Sequence, residues 1–189
     1  NMLGSPYGST SPATLCEDGR PYAMRFPLIS VRDIIKAQYM ALKTMGVRKL
    51  ECVIGGSLGG MQALEWAVSY PEMVKKAIVI AAPANTYPQA IAFNEVQRQT
   101  IMADPQWKGG DYYGDTPPEK GLAIARMLAM ITYRSEESFV KKYKRDLAVG
   151  VPWDWNGRFK VEAYIHHHGE KLVRRFDANC YLYLTRAMD

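Results

Sequence analysis

Apolar positions in this chain repeat with two different periods, and the change from one to the other falls across a single serine. Leu50, Cys52, Val53 and Ile54 form a short, mostly apolar run of the kind that fills a strand buried on both faces. Beyond Ser57, residues Leu58, Met61, Ala63, Leu64, Ala67 and Val68 recur at helical spacing, with Pro71 as a stop. Upstream, Arg25 to Ser30 reads as a brief strand. Val31 to Met45 reads as a helix with Ile34, Ile35, Tyr39 and Leu42 on one stripe, ended by Gly46. Ala77 to Ala82 is a further buried strand. Strand, helix, strand, helix, strand is the order up to residue 82, which predicts a parallel α/β sheet with right-handed crossovers.

From residue 83 the period is helical, and no convincing further strand follows. Tyr87 to Ala103 reads as one helix, closed by Asp104-Pro105. Thr116-Pro117-Pro118-Glu119 reads as N-cap, two tolerated prolines and a capping-box glutamate that launch a helix to about Tyr133. Ser135-Glu136-Glu137 caps the next helix, and Gly150 to Gly157, with its two tryptophans, is a loop. Phe159 to Phe176 and Ala178 to Met188 predict two more helices. Asn1 to Pro21, rich in Gly, Ser, Thr and Pro, is loop-like, with at most a short strand at its start.

At 189 residues and 48% hydrophobic, the chain suffices for one substantial core and is not disordered. It begins at Asn1 and stops straight after a helix-like run, so it reads as a fragment. The net charge of +5 is scattered, densest at Lys141, Lys142, Lys144 and Arg145. Without aromatic-basic interleaving this cluster reads as a solvated helix face and not a nucleic-acid site, though a polyanionic coenzyme is compatible with it. Cys16, Cys52 and Cys180 lie far apart, which suits a reducing compartment, and Cys52 is expected to be a small buried residue. No apolar run approaches the ~18 residues that span a bilayer.

Candidate chemistry centres on Gly55-Gly56-Ser57-Leu58-Gly59-Gly60, which contains G-x-S-x-G. Between a strand and a helix, this turn strains the serine and exposes its Oγ, provided Gly55 and Gly59 lack side chains where the two elements nearly touch. The first amides of the new helix then face any developing negative charge. A purely structural glycine turn is the alternative; a phosphate loop lacks its signature here. On the helix from Glu119, Arg126 and Tyr133 are seven apart and so share a face with Leu122, Ala129 and Met130. The guanidinium either snorkels to water or binds a carboxylate bidentately, and Arg98 carries the same ambiguity. His166, His167 and His168 fan over about 200° of a helix, so surface residues are the better reading than a metal site. A catalytic acid and histidine are expected on loops after further strands, beyond Asp189, and not among Asp104, Asp111, Asp154 and the histidines.

With these elements in place, the sequence resembles the homoserine O-acetyltransferase family, α/β-hydrolase-fold enzymes of methionine biosynthesis. The resemblance covers nearly the whole chain. It is carried by NMLGSPYGSTSP at residue 1, FPLISVRDIIKAQ at 26, GGSLGGMQALEWAVSYPE at 55, AFNEVQRQTIMADPQWKGGDYY at 92, GLAIARMLAMITYRSEE at 121 and RFDANCYLYLTRAMD at 175. It implies an α/β-hydrolase fold with a helical lid: residues 1–82 a partial core with the nucleophile elbow, 83–189 the lid, and the remaining core strands beyond. It implies Ser57 as the acyl-accepting nucleophile, the Leu58 amide as one oxyanion-hole donor, Arg126 as ligand of the homoserine carboxylate, and Tyr133 lining the same tunnel. It further implies acetyl-CoA as co-substrate with no permanently bound cofactor, a homodimer formed partly through the lid, and a cytoplasmic location. Leu58 replaces the methionine often found after the serine, a mild change because the backbone amide acts. The parts giving the second oxyanion donor and the triad aspartate and histidine are absent, so this piece alone is expected to be inactive. A succinyl donor, a serine acceptor, a plain esterase and a non-enzymatic remnant stay open as rivals.

Overall fold

Two four-residue strands, β1 (Val53–Gly56) and β2 (Ala77–Ile80), pair in parallel from Val53 opposite Ala77 to Gly56 opposite Ile80. They belong to a computed structural model that describes all 189 residues. Helix α2 (Leu58–Ser69) makes the crossover between them, and α1 (Val31–Thr44) packs on α2. The period-3.6 stripe of α1 is what permits this: Ile35 joins Trp66 and Met73 in a buried cluster, flanked by Tyr39, Leu42 and Val53. Tyr39 stacks on Tyr70 at 4.1 Å. The indole of Trp66 donates to Gln38 at 2.9 Å, and Gln38 donates to Gln62 at 2.7 Å, so the polar groups at this seam are paired.

Four expectations differ here. Arg25 to Ser30 is no strand: a 3-10 turn at Ala23–Arg25 leads into chain without ladder partners, because extended backbone becomes a strand only when a neighbour accepts its hydrogen bonds. Leu50 lies ahead of β1 and makes only an isolated bridge to Val74. The strands are not buried on both faces either. Alternation sends Val53 into the α1–α2 cluster and Ile54 to the other face, where Ile54, Ile78 and Ile80 are exposed. Cys52, just outside the strand, is exposed rather than buried.

The chain divides into two compact units, Asn1–Ile91 with Asn179–Asp189, and Ala92–Ala178. The helical stretch expected from residue 83 is therefore split, and most of α7 (Ala178–Met188) returns to the first unit. Its Tyr183 explains the return: the ring meets Phe26 edge-on at 5.3 Å, and the hydroxyl donates to the Phe26 and Met24 carbonyls at 2.6 and 3.1 Å. Burial raises the pKa of that phenol.

The second unit contains most of α3 (Pro88–Met102), then α4 (Glu119–Thr132), α5 (Glu136–Tyr143) and α6 (Lys160–Val173). Ser135 caps α5 through the Ser138 amide, as expected. The Thr116 cap is not formed. Pro118 occupies the N-cap, and the Gly121 amide is bound instead by Asp104 Oδ2 at 2.8 Å, from seventeen residues upstream. Helices α4 and α6 pack so closely that a Cβ on Gly169 would stand 2.9 Å from the Ala123 carbonyl oxygen. The unit also holds an antiparallel hairpin, β3 (Leu147–Val149) with β4 (Arg158–Phe159), where no strand was expected. Strands of two and three residues are too short to display a period.

Candidate active site

Ser57 is the junction between β1 and α2, and its backbone stands at φ 55°, ψ −125°. For a residue with a Cβ this is a sparsely populated region costing on the order of 1–3 kcal/mol, maintained only where the surroundings over-determine it. They do. The Ser57 amide donates to the Ile80 carbonyl at 3.0 Å, continuing the β1–β2 ladder, while the Ser57 carbonyl already accepts from Gly60 and Met61 at 2.8 and 3.1 Å. Strand bonding and helix bonding meet at one residue.

The close approach this requires falls on Gly55 and Gly60. A Cβ on Gly55 would lie 2.1 Å from the Gly59 carbonyl oxygen, and one on Gly60 would lie 2.5 Å from the Ala82 Cβ. The expectation for Gly59 is corrected: a Cβ there would meet nothing within 4 Å, since Gly59 contributes its backbone, not its vacancy, to the contact. Ala81, at φ 48°, is a second strained position at the end of β2, and nothing in an alanine signals it in sequence.

Ser57 is exposed and its side chain makes no cap bond. With Gly60 and Met61 already bonded to the Ser57 carbonyl, the amides of Leu58 and Gly59 open the helix without carbonyl partners. A hydroxyl oxygen thus stands beside backbone donors and the positive end of a helix dipole, an arrangement able to stabilise an oxyanion formed there.

In the second unit, Arg126 and Tyr133 come together as the spacing predicts, the guanidinium carbon 5.4 Å from the ring centroid. Arg126 forms no salt bridge. Arg98 resolves differently: it is buried and bound to Glu95 at 2.9 and 3.0 Å, an ion pair within α3. Asp104 caps the 3-10 turn of Pro105–Gly110 through Gln106 as well as α4, and Asp154 caps its own loop through Asn156, so both carboxylates hold backbone. His166 and His167 are exposed as expected, but His168 is half-buried, edge-on to Tyr164 at 4.6 Å. Desolvation, then the charges of His167, Arg126, Lys171 and Arg134, lower its pKa. No three metal-ligating side chains converge. Ser57 and Leu58 belong to the first unit, Arg126, Tyr133 and the histidines to the second.

The sequence profile described as the alpha/beta hydrolase fold matches residues 1–185. A homoserine O-acetyltransferase of Symbiobacterium thermophilum is 52% identical across 100% of this chain, which covers 50% of that protein. Among solved structures, the homoserine O-acetyltransferase of Bacillus anthracis superposes with a TM-score of 0.85 at 29% identity, over 95% of this chain and 49% of the other. Esterase E22 superposes with a TM-score of 0.86 at 28% identity, over 100% and 54%. The chain spans 39% to 52% of the length of the curated homoserine O-acetyltransferases it matches at such identities. No helix is long and apolar enough to cross a membrane.

Proposed function

This chain belongs to the alpha/beta hydrolase fold family, and from that premise we propose that the protein is a homoserine O-acetyltransferase, moving an acetyl group from acetyl-CoA to the hydroxyl of L-homoserine through an acyl-serine. The observation that carries this reading is the strained, exposed Ser57 in a chain that matches, end to end, relatives of that name. Ser57 Oγ attacks the thioester carbonyl carbon as a general base takes its proton. Negative charge gathers on the carbonyl oxygen, where the Leu58 amide donates a hydrogen bond. The C–S bond breaks, CoA leaves as the thiol with the base's proton, and the acetyl ester remains on Ser57. The homoserine hydroxyl then attacks that ester, its proton passing to the base, and Ser57 is regenerated.

Transfer must outrun hydrolysis, so the acceptor has to be held. Arg126, a guanidinium without a carboxylate partner and beside Tyr133, takes the homoserine carboxylate bidentately and sets the hydroxyl against the ester. A plain esterase is the second reading, favoured by the superposition on esterase E22; it keeps Ser57 and needs no such anchor. A homodimer in the cytoplasm completes the proposal, as in the family this chain resembles, and sedimentation of the complete protein with cell fractionation tests both.

The decisive assay is CoA release by the complete protein from acetyl-CoA and from succinyl-CoA, with and without homoserine, with Ser57→Ala as control. Release that needs homoserine, prefers the acetyl donor and drops at least about 10³-fold in Ser57→Ala is expected. Equal release without homoserine selects the esterase; full activity in Ser57→Ala removes the elbow from the mechanism.

A further inference from the structure

The first turn of α2 is weak where acyl chemistry needs it firm. Leu58-Gly59-Gly60 places two glycines, which lose the most backbone freedom in a helix, directly after a strained serine, and Ser57 offers no side-chain cap. Support reaches that turn from the next one. Gln62 Nε2 donates to the Leu58 carbonyl at 3.3 Å and to the Met2 sulfur at 3.5 Å. The direction of these bonds is set from the core. The buried Trp66 indole can only donate, and it takes Gln38 Oε1 at 2.9 Å. Gln38 is left to donate through Nε2 to Gln62 Oε1 at 2.7 Å, and Gln62 must then turn its NH2 group toward Leu58. All the residues of this relay belong to the first unit.

Filling the seam between α1 and α2 does not require such a relay, since apolar side chains of the same shape can replace a paired set of amides at little cost. What they cannot do is bond a backbone carbonyl. The relay ends at Leu58, the residue whose amide serves the oxyanion in the reading above. The peptide on one side of Leu58 is held through the Ser57 carbonyl, which accepts from Gly60 and Met61 at 2.8 and 3.1 Å. Gln62 holds the peptide on the other side, through the Leu58 carbonyl. Because each peptide is planar, pinning both leaves the Leu58 N–H one direction. We propose that Gln62, aimed by Gln38 and Trp66, is a positioning residue that keeps the Leu58 amide in line with the oxyanion formed at Ser57. This deepens the acyl-serine reading and rests on the part of it that transferase and esterase share.

The test assays the complete protein with p-nitrophenyl acetate and with methylboronic acid, neither of which needs CoA or homoserine. The boron bonds the serine oxygen, the serine proton passes to the base, and the adduct carries negative charge where the oxyanion forms. Gln62→Met keeps the volume and loses the donor; Gln62→Glu keeps the acceptor that Gln38 meets and loses the donor. Both are expected to lower kcat about tenfold with KM little changed, and to weaken boronic acid binding by a similar factor. Gln38→Met, which leaves Gln62 without its aim, should show the same pattern at about a few-fold. A lower urea midpoint with kcat and boronic acid affinity unchanged means packing alone and overturns the assignment, as does a rise in KM at constant kcat. Boronic acid affinity that falls in Ser57→Ala but not in the Gln62 variants refutes the positioning alone; affinity that survives in Ser57→Ala refutes the acyl-serine reading and the positioning with it.

Discussion

The two glycines predicted to flank Ser57 do different work. Gly55→Ala drives a Cβ into the Gly59 backbone and is expected to cost roughly 3 kcal/mol or more, whereas Gly59→Ala, with open space around its Cβ, should hold or raise stability by up to about 1 kcal/mol. Urea midpoints of the two variants check this contrast, and equal losses would place the crowding elsewhere. At Arg126, charge alone does not suffice if the carboxylate is held by a planar fork. Arg126→Ala should raise KM for homoserine about 100-fold, and Arg126→Lys should recover only part of it, while hydrolysis of a simple acetyl ester changes little. Steady-state kinetics with both substrates decide.

At the scale of elements, the start of α4 is secured from outside its own segment. Asp104 holds the Gly121 amide through one oxygen and the Gln106 amide through the other, so one carboxylate caps two helical segments. Asp104→Ala is expected to cost about 1–2 kcal/mol, and Thr116→Ala, which removes the cap the sequence suggests, close to nothing. Thermal denaturation of the pair distinguishes the tertiary cap from the local one. The same contrast explains which elements the sequence displayed. Helices α1, α2 and α3 carry long stripes or explicit stops, such as Gly46, Pro71 and Asp104-Pro105, and their bounds agree with expectation within a residue or two. The run Arg25 to Ser30 has a strand's composition and no strand's partner, and the β3–β4 hairpin has partners with too little sequence to show a pattern.

For the molecule as a whole, pH acts through His168, which Tyr164 covers on α6 and which His167 and Lys171 on α6, Arg126 on α4 and Arg134 after α4 surround with positive charge. Its folded pKa lies below the ordinary 6.5, so the unfolded chain takes up the proton first. Its contribution to stability is complete above about pH 6.5 and is lost as pH falls through the folded value. Unfolding midpoints measured between pH 7.5 and 5 should therefore fall more steeply in the parent than in His168→Gln; parallel curves would assign the loss to other groups.

What this sequence determined by itself is local. A serine between a short apolar run and a helical stripe, with glycine where strand and helix must touch, marks an elbow in sequence, because the residues that form the turn lie within a few positions of one another. Arg126 and Tyr133 meet for the same reason, two turns apart on one helix. Tertiary structure decided what depends on partners distant in sequence: that Gly60 rather than Gly59 is crowded, that Asp104 caps α4, and that α7 joins the first unit through Tyr183. Each of these is a contact between segments whose distance along the chain carries no periodic signal, and only folding brings them within reach.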